Sequence, residues 1–300
     1  MINKIFTLLV VLTLLHIPIH SQLLWKISGN GLKKPSYLFG THHLISIQFL
    51  DSVPGLYKSF NECDKVIGEI CTSNLDAASI IQDASIMPNG TKIDDLLTIE
   101  QYNVVDKELK STIKMGLKQV AIMNPTLILT IYEAELFKKI TGFSDNNQSD
   151  SYLQLVAYEK EKTVEGLETV QEQINILYNI GTLKRQAEIL YHTINDKDSL
   201  ISDIKILNKL YKQGNIEELY RLSHGKGKKH DYTDEELSKI LYERNEKWAT
   251  KISNTISSAS CFIAVGAGHL GGNRGLIKLL QKQGYSVKPV VQQQYVNLEK

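Results

Sequence analysis

The run Cys261-Phe262-Ile263-Ala264-Val265-Gly266-Ala267-Gly268-His269 decides how this chain reads. A short apolar stretch is closed by two glycines and a histidine, which is the length and punctuation of a buried strand. Gly271 and Gly272 follow, and a helical pattern opens after them. In an open α/β sheet, ligands bind beyond the carboxyl ends of the strands. A histidine just past such an end is therefore a candidate for chemistry, and the glycines beside it permit close approach to the backbone.

The same pattern recurs near the other end of the chain. Tyr37-Leu38-Phe39-Gly40-Thr41-His42-His43 is an apolar run, a glycine, and a histidine three residues on. Gly40 to His43 and Gly266 to His269 thus share one spacing, which points to one shared site. The bland alternative is a pair of ordinary turn histidines. Between them, residues 65–70 read as a strand with Glu69 near its end. Charge is unusual in a strand that looks this buried, and the alternative is an edge strand with Glu69 in water.

The remaining order follows from periodicity. Residues 23–27 and 33–39 form a hairpin around Gly29-Asn30-Gly31, and 53–62 has helical spacing, with Pro54 in its first turn. Helical patterns then occupy 99–109, 112–122 and 126–140, after a helix start at 91–97. A polar loop spans 144–150, and 152–159 is helical. Residues 163–168 are a third strand-like run that ends in Glu168. Helices follow at 169–191, 199–213, 216–223 and 234–257, the last with Thr233 and Glu236 as a capping box. Strand 261–265, helix 274–283 and strand 285–291 close the chain, a right-handed parallel unit by default. The predicted class is α/β with α+β character. A mixed, largely parallel central sheet is built from N- and C-terminal strands, and one domain over 22–300 carries a large helical insertion at about 74–160.

The bulk properties narrow the function. The chain has 300 residues, 42% of them hydrophobic, with 34 basic and 33 acidic side chains and a net charge of +1. No global field favours nucleic acid or an anionic membrane. The Lys226–Lys229 cluster, broken by glycines, reads as a solvated loop. Lys4, an apolar core over 5–15 and a small residue before Gln22 read as a signal peptide over 1–21, with an uncleaved anchor as the alternative. That implies export, to a periplasmic or extracellular location. No other stretch is long and apolar enough to span a membrane. Cys63 and Cys71 flank an extended run that sets them roughly 25 Å apart, beyond disulfide reach, and all three cysteines read as unpaired.

His43, His269 and Glu69, brought together at adjacent strand ends, form a usual donor set for a divalent transition metal such as Mn, Co or Zn. Such an ion activates bound water and polarises a carbonyl. Glu168 is a further ligand or general base, or else a carboxylate facing the dipole of the following helix. His42 faces away from the site if His43 faces it. Arg244 holds a substrate carboxylate or orients Glu69; the alternative is a surface helix with Trp248 beneath, carrying Asn245 as a polar neighbour. His16, His20, His192, His224 and His230 receive no role. Gly266, Gly268 and Gly271 imitate a dinucleotide loop, but His269 and the short remaining chain argue against it.

These pieces together resemble the TraB/PrgY/GumN family. The matching stretches are Leu24-Trp25-Lys26-Ile27, Tyr37 to His43, Val66-Ile67-Gly68-Glu69, Gly166-Leu167-Glu168-Thr169, Arg244-Asn245 with Trp248, and Ala264 to Leu270. Gly275-Leu276 and Gly284-Tyr285-Ser286-Val287 continue the match. Gly68 departs from the larger apolar residue expected before Glu69. The resemblance implies an α/β fold with paired Gly-x-x-His motifs. It also implies a metal-dependent protease acting on a peptide or protein substrate, with His43, His269 and Glu69 at the metal or catalytic positions. Other members are linked to peptide binding, so a non-catalytic peptide- or ligand-binding protein, or one that captures haem or metal, is the alternative on the same scaffold.

Overall fold

The computed structural model describes residues 22–72, 77–144, 148–225 and 227–291, and the segment read as a signal peptide lies outside them. Six strands form one sheet: β1 (Leu24–Ser28), β2 (Ser36–Thr41), β3 (Lys65–Gly68), β4 (Thr163–Gly166), β5 (Cys261–Gly266) and β6 (Ser286–Pro289). Their order is β4-β3-β5-β2-β1-β6. The pairs β4/β3, β3/β5 and β5/β2 are parallel, while β1 runs antiparallel to both β2 and β6. The fold is thus a mixed, largely parallel α/β sheet, as expected.

Local chemistry explains the strand layout. The β1–β2 hairpin turns on Gly29, Asn30 and Gly31, all at positive φ, which glycine and asparagine tolerate best. β5 is the central parallel strand, and Cys261, Phe262, Ile263 and Val265 are fully buried there. Parallel strands covered on both faces read as continuous apolar runs, which is how this stretch reads. The Phe262 ring packs 6.1 Å from that of Phe39 and 5.3 Å from that of Phe60, and each such buried side chain contributes about 1.5–3 kcal/mol. β6 runs in the same direction as β5, but β2 and β1 lie between them, so the last crossover spans two strands.

Among the described residues, helices make up most of 77–159 and again of 170–256, on either side of β4. The stretch of about 74–160 expected as a helical insertion overlaps the first of these runs, and the second run adds as many helical elements beyond it. Several boundaries differ from the sequence reading. The stretch 112–122 forms only a short 3-10 turn, Leu117–Val120, because Lys114 adopts a positive φ of 61° and breaks the helical path. The 169–191 pattern splits into Val170–Tyr178 and Leu183–Asn195. Gly181 turns left-handed there, and the Thr182 hydroxyl caps the second helix by accepting from the Arg185 N–H. The helix expected from Pro54 starts at Leu56 instead, behind a left-handed Gly55.

Two hydrophobic clusters hold the molecule. One surrounds the sheet, and the other lies among the helices around Leu109, Tyr132 and Leu190. The helix Lys197–Lys212 joins them: its Tyr211 belongs to the first and its Ile204 to the second. Because β2, β3, β4 and β5 run parallel, their carboxyl ends share one edge. Thr41 pairs with Gly266, and Gly68 with Gly166.

Candidate active site

The loops beyond that edge bring the expected residues to one pocket of about 430 Å³, whose lining includes His43, Glu69, Arg244 and His269. Glu69 lies one residue past β3. Its Oε1 accepts from the Gly266 N–H at 2.8 Å. Its Oε2 accepts from Arg244 Nη2 at 2.8 Å and from Gln173 Nε2 at 3.0 Å. A Cβ at Gly266 would stand 3.2 Å from Glu69 Oε1, and one at Gly40 would stand 3.1 Å from the Ala267 backbone. The glycines of the two motifs therefore bring the two loops and the carboxylate together.

Arg244 is buried, with a side chain only 5% exposed, and so is not on a surface helix. Its Nη2 and Nε donate to the two oxygens of Glu168 at 2.7 and 3.2 Å. Nη1 donates to the Ile240 carbonyl at 3.0 Å and lies 3.2 Å from His269 Nε2. The guanidinium also stacks 4.5 Å from the centre of the Trp248 ring. It therefore fixes Glu69 and Glu168 and has no donor left for a substrate carboxylate. Local sequence prepares this placement. A π-helical turn at Ser238–Tyr242 interrupts the expected long helix immediately before Glu243–Ile256, and such turns are frequent at functional sites.

Asn245 orients His269. Its Nδ2 donates to the Arg274 carbonyl at 2.9 Å, so its Oδ1 faces His269 Nδ1, 2.7 Å away. Nδ1 therefore carries the proton, and Nε2 presents a lone pair toward Arg244. Burial pushes His269 down to about 4, although Glu69 pulls the other way. For Glu69, burial favours the neutral acid. The His269 and Arg244 side chains and the Gly266 N–H outweigh it and hold the carboxyl at about 2.

His43 stands at the mouth, with a side chain 59% exposed, and its Nδ1 lies 2.7 Å from Asp150 Oδ2. Burial of the ring's inner part opposes the charge, but the Asp150 carboxylate overrides it and raises His43 to about 9. His42, in the loop just past β2, turns the other way. Its ring packs against Phe137 and Tyr211, and its Nδ1 accepts from the Leu44 N–H. Asp150 and Gln173 were not among the sequence candidates. Asp150 belongs to the first turn of the helix Ser149–Glu159, where the polar stretch 144–150 reads as loop. A carboxylate beside a helix start was the available signal.

The donor set of His43, Glu69 and His269 is right in kind for a divalent ion but is not assembled for one. Both Glu69 oxygens accept N–H bonds, and Arg244 stands against the free nitrogen of His269. Among the described residues, no group of three or more His, Cys, Asp or Glu side chains is placed to hold an ion. In this arrangement the residues do not fit a bound metal.

Comparison with known proteins places the chain in a family. A model of the TraB/PrgY/gumN family matches residues 23–289. The chain is 23% identical to Metalloprotease TIKI2 of Danio rerio over 323 residues, covering 89% of this chain and 61% of that protein. It is 21% identical to Metalloprotease TIKI1 of Xenopus tropicalis, again covering 89% and 61%, and 22% identical to Metalloprotease TIKI1 of Homo sapiens, covering 89% and 62%. The chain therefore spans about three fifths of the length of these relatives. No solved structure matches it.

Proposed function

From the premise that the chain belongs to the TraB/PrgY/gumN family, we propose that it is an exported hydrolase of peptide or protein substrates. The observation that carries this reading is the meeting of both Gly-x-x-His histidines with Glu69 in one pocket. Their environments separate two protonation states. His43 stays cationic through neutral pH, and His269 stays neutral. Pairs of groups held apart in this way mark an acid and an acceptor. On this reading His43 donates a proton to the carbonyl oxygen or the leaving nitrogen. Glu69 accepts a hydrogen bond from the attacking water, while His269, its Nε2 facing Arg244, helps to position that carboxylate's partner. Arg244, Glu168 and Asn245 hold these groups in place.

The relatives' name, Metalloprotease, brings a metal ion into the reading; the divalent transition ion expected from the sequence, Mn, Co or Zn on His43, Glu69 and His269, does not fit these residues as they are arranged. Since Arg244 occupies their midst, we derive no step through it. Export rests on residues 1–21, and the mature protein is expected to begin at Gln22; N-terminal sequencing of secreted material checks that.

Cleavage of a peptide library, run with and without chelator beside elemental analysis of the purified protein, tests the proposal. Cleavage lost with His43→Ala and with His269→Ala supports it, and chelator sensitivity then adds the ion. Peptides bound but never cleaved, with or without added Mn, Co or Zn, overturn it in favour of a binding protein on the same scaffold.

A further inference from the structure

The helix Ser149–Glu159 forms one wall of the pocket at the sheet edge and runs on past it. Its inner face carries Leu153 and Ala157 into the core around the sheet. Ser151 and Gln154 line the pocket. Residues three and four apart share a helix face, so Leu155 and Tyr158 continue the face that Ser151 and Gln154 begin. Both are exposed, Leu155 by 50% and Tyr158 by 39%. The loop after β3 lies beside them. Gln154 ties that loop down through the Ile70 carbonyl and the Thr72 N–H, and Cys71 Sγ lies 3.2 Å from the Tyr158 hydroxyl. An apolar ridge thus leaves the pocket along the helix.

A lone exposed leucine on a surface helix needs no explanation. This one differs in its place. One turn before Leu155 is the pocket, and one turn beyond it is the Tyr158 ring, a type of side chain enriched where proteins meet partners. The pocket itself offers only Ile70 and Leu177 as large apolar side chains; the rest of its lining is polar or glycine. A substrate therefore gains apolar contact mainly by reaching the ridge. The reach is short. Asp150, paired with His43, stands five residues before Leu155 and eight before Tyr158. At 1.5 Å per helical residue these steps are about 7.5 and 12 Å. An extended peptide covers them in about two to four residues, at roughly 3.3 Å each.

We propose that Leu155 and Tyr158 form a specificity subsite of the pocket. It takes one large apolar side chain of an extended peptide, about two to four residues from the bond that lies at His43 and Glu69. The occupant is the substrate peptide, because the ridge is continuous with the pocket wall and lies within that reach. This deepens the hydrolase reading and rests on it for the bond that is cut.

Acetylated and amidated host peptides of alanine, serine and asparagine, with one Phe or one Ser scanned through them, test it on the full mature chain. Mass spectrometry reads the cuts, and anisotropy of fluorescein-labelled copies reads binding. Peptides with Phe at the stated distance from the cut are expected to be cleaved about ten-fold faster, in kcat/KM, than their Ser counterparts, the scale of burying part of one large apolar side chain. Leu155→Ser and Tyr158→Ser should each bring that ratio near one. Ile206→Ser, which alters a 43% exposed side chain on the helix Lys197–Lys212, should keep it. Should one ridge variant lose its circular dichroism, the other decides. Cleavage without the Phe preference overturns the subsite and leaves the hydrolase reading standing. A Phe preference in binding that Leu155→Ser removes, with no peptide cut, supports the subsite and fails the hydrolase reading. The subsite is also overturned if no peptide binds or if folded Leu155→Ser keeps the preference. A wild-type dimer that Leu155→Ser dissolves in sedimentation overturns it too, since the ridge is then a contact between copies.

Discussion

Arg244 places one positive charge between two carboxylates and an imidazole, away from water. Removing one partner of a buried ion pair costs about 3–5 kcal/mol, because the charges left behind stay unanswered. Arg244→Ala is therefore expected to lower stability by about that amount in urea denaturation, and Glu168→Gln in the same background should recover part of it. A loss below about 1 kcal/mol would mean that water reaches the carboxylates. His43 makes a separate prediction. Its folded value of about 9 stands above the ordinary 6.5. The stability it adds is thus fully present below pH 6.5 and is lost as pH rises through 9. Its side chain is 59% exposed, so solvent limits the effect to about 1 kcal/mol or less. Between pH 6.5 and 10 the melting temperature of wild type should fall more than that of His43→Gln; parallel curves would sink the pairing with Asp150. Both histidines and Glu69 were readable from punctuation alone, glycine and strand end. Asp150 was not. Its carboxylate reaches His43 from 107 positions away, and no local pattern encodes such a meeting.

At the scale of elements, Gly68 shows how a departure from pattern becomes intelligible. The sequence leads one to expect a larger apolar residue before Glu69. A Cβ there would stand 2.4 Å from Gln154 Nε2 and 2.9 Å from the Ile70 carbonyl. Gln154 fills that space to bind the Ile70 carbonyl and the Thr72 N–H and hydroxyl. The glycine thus lets a helix side chain tie down the loop after β3. Gly68→Ala is expected to cost about 1–3 kcal/mol through overpacking and to speed hydrogen exchange at Ile70 and Thr72; unchanged exchange would show that Gln154 moves aside freely. The strands were legible because apolar runs ended by glycine have few alternative readings. Helix breaks were less so. The amphipathic period runs across Gly181 without a skip. Likewise, nothing in the Thr233–Glu236 capping signal announces the π turn that follows it.

For the whole molecule, the bridge made by the helix Lys197–Lys212 predicts one cooperative transition. The Tyr211 hydroxyl donates to the Gly40 carbonyl at 2.9 Å, inside the sheet core, while the same helix buries Ile204 in the helical cluster. Tryptophan emission reports the sheet core, where Trp248 is buried and Trp25 packs against it. Far-ultraviolet dichroism reports the helices. The two unfolding curves in urea should coincide; separate midpoints would show that the helical part unfolds on its own. The fold class was legible at this scale, since strands gathered toward both ends of the chain with helices between them leave few arrangements. The strand order was not, because nothing in a sequence says that β5 enters between β3 and β2.

That insertion sets a clock on synthesis. Ser36 on β2 and Cys261 on β5 are 225 positions apart and still share a hydrogen bond. A growing chain carries β2 and β3 with nothing between them until residues 261–269 have left the ribosome. Until then Glu69 lacks the Gly266 amide, and His269 does not yet exist. The pocket is therefore incomplete while the chain is being made, and its open strand edges are then its main hazard. A product cut short before residue 261 would carry those open edges into contact with its neighbours.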